Sequence, residues 1–95
     1  MADPWSALAK QVPVSALRRY LRSQRWQVQL LDNDRTDLFY LTSGDESSVE
    51  LFIPKTNESI GATKYKIYAL ETLSDLLRIT PTQLLNKLRS IGFDV

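Results

Sequence analysis

The chain has 95 residues, of which 43% are hydrophobic and 24% charged, the composition of one globular domain and too short for two independent cores. It contains no cysteine and no histidine, which excludes a disulfide framework, a thiolate site, zinc sites built on those ligands, an imidazole base and pH switching near neutrality. The net charge of +1 sets no overall bias toward a polyanion, but the charge is unevenly placed, with Lys10, Arg18, Arg19, Arg22 and Arg25 against Asp3 near the start and Asp32, Asp34, Asp37, Asp45, Glu46, Glu50 and Glu58 crowding the middle.

Asp3-Pro4 reads as a helix cap followed by proline at the first helical position. A short helix over about 4–10 follows, and Pro13 ends it. Ser15 is placed to cap a second helix over about 16–25, with Val14, Leu17, Tyr20 and Leu21 as its inward stripe. The period then falls to two: Trp26, Val28 and Leu30 alternate with Gln27 and Gln29, the pattern of a half-buried strand. Asp32-Asn33-Asp34 is a turn, residues 37–42 a second strand, Gly44-Asp45 a second turn, and residues 48–53 a third strand closed by Pro54.

A polar loop over 55–61 leads into a long helix over about 62–78, whose apolar face is expected from Ile67, Leu70, Leu73, Leu76 and Leu77. Thr80-Pro81-Thr82-Gln83 combines a capping box with a first-turn proline, and a last helix over about 81–91 offers Leu84, Leu85, Leu88 and Ile91 before Gly92 stops it. The fold class expected is α+β, in the order (α)-α-β-β-β-α-α. A three-stranded antiparallel meander carries helices on one face, because so small a sheet needs a cover. The whole chain, 1–95, is expected to be one domain, with 1–13 as an N-terminal arm or short helix and 14–95 as the core.

No catalytic constellation is visible, and the chain is not expected to be an enzyme. The serines have no histidine to activate them, the three glycines form no phosphate-cradling loop, and the carboxylates sit in turns. Asp32-Asn33-Asp34 has the start of a calcium loop but lacks its glycine and its closing glutamate, so no metal and no cofactor is expected. No apolar run approaches the roughly 20 residues of a membrane span. Met1-Ala2-Asp3-Pro4-Trp5 lacks the basic start and apolar core of a signal peptide, so a cytoplasmic location is expected. The chain reads equally as a complete small protein or as the N-terminal piece of a longer one.

Two surfaces stand out. Arg18, Arg22 and Arg25 recur at helical spacing with Arg19 beside them, a stripe that can donate to phosphates, and Lys64 and Lys66 at the start of the third helix can join it. The same arginines serve equally as a solvated face paired with the acidic middle. The second surface is the outer side of the sheet. If Val49, Leu51 and Ile53 face the helices, then Phe52 faces away, joined by Leu31 and by one pair from the second strand, Leu38 with Tyr40 or Phe39 with Leu41. The partner surface is taken as Leu31, Phe39, Leu41 and Phe52. Alternatively, Trp5 and Leu8 of the N-terminal arm fold over this face.

Over residues 15–78 the α-β-β-β-α order resembles the double-stranded-RNA-binding domain, which implies phosphate contacts at the start of the helix after the sheet, where Lys64 and Lys66 stand. That family's denser basic cluster, alanine-rich helix and histidine-bearing strand loop have no counterpart here. Residues 73–88 resemble a helix-turn-helix, which implies DNA reading by Thr82, Gln83 and Asn86, with Arg78 where the turn glycine belongs. The run of residues 20–26, with Ile53-Pro54 and Tyr65 ahead of a leucine-rich helix, is similar to small uncharacterised bacterial domains, a likeness that implies no activity. The expectation is a non-catalytic module acting through protein contacts, including self-association through the sheet. The alternative is nucleic-acid binding by the arginine stripe.

Overall fold

Seven elements follow one another in the computed structural model, which describes residues 4–42 and 48–91: α1 (Pro4–Gln11), α2 (Val14–Ser23), β1 (Gln27–Gln29), β2 (Thr36–Thr42), β3 (Ser48–Pro54), α3 (Ala62–Leu77) and α4 (Pro81–Ile91). The order is α-α-β-β-β-α-α, an α+β fold with an antiparallel sheet of order β1-β2-β3. The expected cap Asp3, the Gly44-Asp45 turn and the Gly92 stop lie outside the described residues.

Pro13 ends α1 and opens α2 with extended backbone at φ −65° and ψ 150°. The α2 cap is not the expected Ser15, which lies inside the helix. Asn57, from the loop after β3, instead presents Oδ1 to the Val14 N–H at 2.9 Å. One of the four unpaired N–H groups of the helix start is therefore answered from 43 residues away. α4 starts as expected: the Thr80 N–H donates to Gln83 Oε1 at 2.9 Å, and the Gln83 N–H donates to Thr80 Oγ1 at 3.2 Å. That is the reciprocal capping box.

Register fixes the two faces of the sheet. Asp37 opposes Ile53, Phe39 opposes Leu51 and Leu41 opposes Val49, while Leu38 opposes Phe52 and Tyr40 opposes Glu50. Phe39, Leu51 and Ile53 are fully buried with Leu17 and Leu21 of α2, Leu70 and Leu73 of α3, and Leu84 and Leu88 of α4. The helices therefore cover the Phe39 side. α1 packs against α3 and α4, with Leu8, Ala9 and Val12 in the same core. The N-terminal arm thus joins the helical side and does not fold over the opposite face.

Three expectations about apolar faces need correction. β1 ends at Gln29, because the Leu31 N–H leaves the ladder for Asp37 Oδ1 at 3.0 Å. Leu30 is consequently exposed, and Leu31 lies beyond the strand, half-buried. Leu76 and Leu77 are exposed as well, because the inward stripe of α3 runs through Ala62, Lys66, Ala69, Leu70 and Leu73. Finally, Phe39 and Leu41 point to the helices, so the outward pair of β2 is Leu38 and Tyr40.

Arg78 closes α3 in the left-handed region at φ 57° and ψ 48°, a conformation that strains any side chain with a Cβ. Arg78→Gly is expected to raise the unfolding free energy by about 0.5 kcal/mol, strain relief outweighing the added freedom of the unfolded chain. Urea denaturation checks this; an unchanged or lower midpoint contradicts it.

Candidate functional site

The arginine stripe divides into groups with different tasks. Arg18 is a strut: Nη2 donates to Asp37 Oδ2 at 3.1 Å and Nη1 to the Pro54 carbonyl at 3.2 Å. Its guanidinium also stacks over the Phe39 ring, 5.1 Å from the centroid. Asp37, 2% exposed, receives Lys55 Nζ at 2.6 Å and the Leu31 N–H on its other oxygen. Burial alone would push this carboxyl up. The hydrogen bonds from Lys55, Leu31 and Arg18 outweigh it, and the net direction is down from the usual aspartate value. One carboxylate thus ties α2, the start of β2 and the end of β3 together.

Arg22 stays exposed one turn beyond Arg18. Arg25 falls outside α2, with a left-handed φ of 69°, where its N–H donates to the Arg22 carbonyl as the helix ends. The stripe expected to run from Arg18 to Arg25 along the helix therefore stops at Arg22. Arg18, Arg19 and Arg22 line one open concavity of ≈ 350 Å³ with Val14, Ser15 and Lys55. Sequence reasoning missed Lys55; its position directly after the strand-ending Pro54 was the only signal.

Lys66 does not accompany Lys64 at the surface. It is 8% exposed, and its Nζ donates to the Ala9 carbonyl at 2.8 Å and to the Val12 carbonyl at 2.9 Å. The cause lies in Pro13, which has no N–H to give to the carbonyl four residues earlier, that of Ala9. Lys66 supplies the missing donor at the α1 C-terminus, where a cation also suits the helix dipole. Burial pushes its pKa down. The basic pair at the start of α3 that the RNA-binding likeness requires is therefore reduced to Lys64. Gln83, named for DNA reading, has its side chain committed to the Thr80 N–H.

The outer side of the sheet presents Gln27 and Gln29 of β1, Leu38 and Tyr40 of β2, and Glu50 and Phe52 of β3. Tyr40 donates its hydroxyl to Gln27 Oε1 at 2.9 Å, which fixes the ring across the β1–β2 pair. Phe52 is 48% exposed. α3 runs against β3 and adds Lys64, Tyr65 and Tyr68, so that Glu50, Phe52, Lys64, Tyr65 and Tyr68 line an open groove of ≈ 320 Å³. Tyr68 is 63% exposed. The sequence placed Phe52 here. It missed Tyr65 and Tyr68, because their place beside Phe52 depends on how α3 packs along β3.

A smaller apolar hollow of ≈ 100 Å³ lies between Tyr20, Trp26, Leu41, Leu73, Leu76 and Leu77. Among the described residues, no group of three or more aspartates, glutamates, cysteines or histidines is placed to hold a metal, and no helix is long and apolar enough to cross a membrane. No protein-family model, curated protein or solved structure matches the chain.

Proposed function

We propose that the chain is a non-catalytic protein-interaction module that self-associates through the outer face of its sheet and the adjoining groove of α3. The observation that carries this reading is the groove itself, where the half-exposed Phe52 of β3 and the exposed Tyr68 of α3 stand beside Tyr65, at the junction of α3 with the outer face of the sheet. Half-exposed aromatic rings gathered in one concavity are the side chains that anchor protein interfaces.

A second copy is the occupant that the charges favour. Glu50 and Lys64 both line the groove and form no ion pair with each other. A two-fold axis through the groove brings Glu50 of one copy toward Lys64 of the other and stacks the aromatic rings between them, as a self-complementary interface requires. The expected surface of Leu31, Phe39, Leu41 and Phe52 accordingly becomes Leu38, Tyr40, Phe52, Tyr65 and Tyr68, since Phe39 and Leu41 serve the core.

Sedimentation velocity over roughly a hundredfold range of concentration tests this. A dimer that gains population with concentration and is lost in Phe52→Glu, with the circular dichroism of the wild type, supports the proposal. A monomer throughout the range contradicts it.

A further inference from the structure

We infer that the concavity between α2 and the end of β3 is a binding site for the phosphate group of a small phosphorylated molecule. The site is distinct from the groove of α3, and the inference stands independently of self-association. Its wall holds four basic side chains, Arg18, Arg19, Arg22 and Lys55, with Ser15 among them, and none of the residues lining it is acidic.

Asp37 lies beneath two of these cations, and its burial gives them an unusual property. Its one negative charge holds Arg18 and Lys55 in fixed positions without cancelling both. Arg18 uses two of its five N–H groups on Asp37 and Pro54, and Lys55 one of its three on Asp37. The remaining donors belong to cations that are already ordered, so an incoming oxyanion loses little side-chain entropy in engaging them. Arg22, exposed one helical turn along, supplies a planar fork suited to two phosphate oxygens. The Ser15 hydroxyl, one turn the other way, adds a neutral donor.

The shape selects the ligand class. A polynucleotide needs cations spaced along a track, as counterion release at successive phosphates demands. Among the described residues, the other members of the expected basic stripe do not extend the cluster: Arg25 has left the helix, Lys66 is buried, and Lys64 lines the groove beside Phe52. What remains is a single concavity of ≈ 350 Å³. That volume accommodates one phosphate and a small attached group.

The test is a titration of the 15N-labelled protein, followed by amide and arginine Nε resonances, with inorganic phosphate, a phosphate monoester and a single-stranded oligonucleotide, each against chloride at matched ionic strength. The expected result is saturable shifts at Ser15, Arg18, Arg22 and Lys55 with phosphate and the monoester. Arg22→Gln, a change at an exposed position that leaves Asp37 paired, should weaken this about tenfold, the worth of one charge-assisted hydrogen bond. Phe52→Glu should leave it unchanged. Shifts that match the chloride control, or an Arg22→Gln titration equal to wild type, overturn the site. Binding of the oligonucleotide at these residues with none of the small phosphates overturns the ligand class.

Discussion

Replacing Lys66 with methionine is expected to lower the unfolding free energy by about 3 kcal/mol, with a fall in Tm on the order of 15 °C for a domain of this size. Methionine keeps the apolar stem inside, so the change isolates the amine. What it leaves behind is the Ala9 carbonyl, which Pro13 cannot serve, and the Val12 carbonyl, both now without a donor. A buried acceptor without its partner costs roughly 1–3 kcal/mol. The loss of the buried charge offsets part of this, because burial already pushes the Lys66 pKa down. Calorimetry checks the sum. A loss below about 1 kcal/mol would show that the carbonyls find other donors and that α1 is not held through Lys66.

Asp37→Asn is the second large change. The amide keeps the shape but turns one acceptor into a donor that faces Arg18, Lys55 or the Leu31 N–H. Two cations are left without the one carboxylate between them, and stability is expected to fall by about 3 kcal/mol. The wild type should show the same loss in acid. The folded pKa of Asp37 lies below its unfolded value, so the unfolded chain takes up the proton first as pH falls. The stabilisation is complete above the usual aspartate range and is lost as pH drops through the folded pKa. Chemical denaturation between about pH 5 and pH 2 should show a shallower pH dependence in Asp37→Asn than in wild type. Equal slopes in the two proteins would contradict the role given to Asp37.

These two residues also mark where the sequence stops being legible. The element order, the capping box at Thr80 and Gln83 and the inward face of β3 follow from spacing and local chemistry, and each has the form that spacing predicts. The errors arise where a distant group intervenes. β1 has a period-two pattern through Leu30, but a carboxylate from β2 draws the Leu31 N–H out of the ladder and leaves Leu30 outside. Lysine early in a helix reads as surface, yet Lys66 falls on the stripe of Ala62, Ala69, Leu70 and Leu73 and meets a carbonyl freed by a proline 53 positions earlier, a pairing that no local window contains. The arginine spacing was legible as a stripe. That Asp37 would convert Arg18 into a strut, and that Lys55 would complete the cluster, depended on tertiary contacts.

The choice between the two surfaces of the sheet turned on one strand. Leu38, Phe39, Tyr40 and Leu41 are apolar on both sides, so alternation alone gave no direction to β2. Register with Leu51 and Ile53 decides it and leaves Tyr40 and Leu38 outward, next to Phe52.

The most direct test of the central claim is a 15N-resolved chemical-shift map recorded while the wild-type protein is diluted. The account predicts that the resonances that move belong to Leu38, Tyr40, Glu50, Phe52, Lys64, Tyr65 and Tyr68, and that Ser15, Arg18 and Arg22 stay still. A spectrum that does not change with concentration, or movement confined to α2, would contradict association through the sheet.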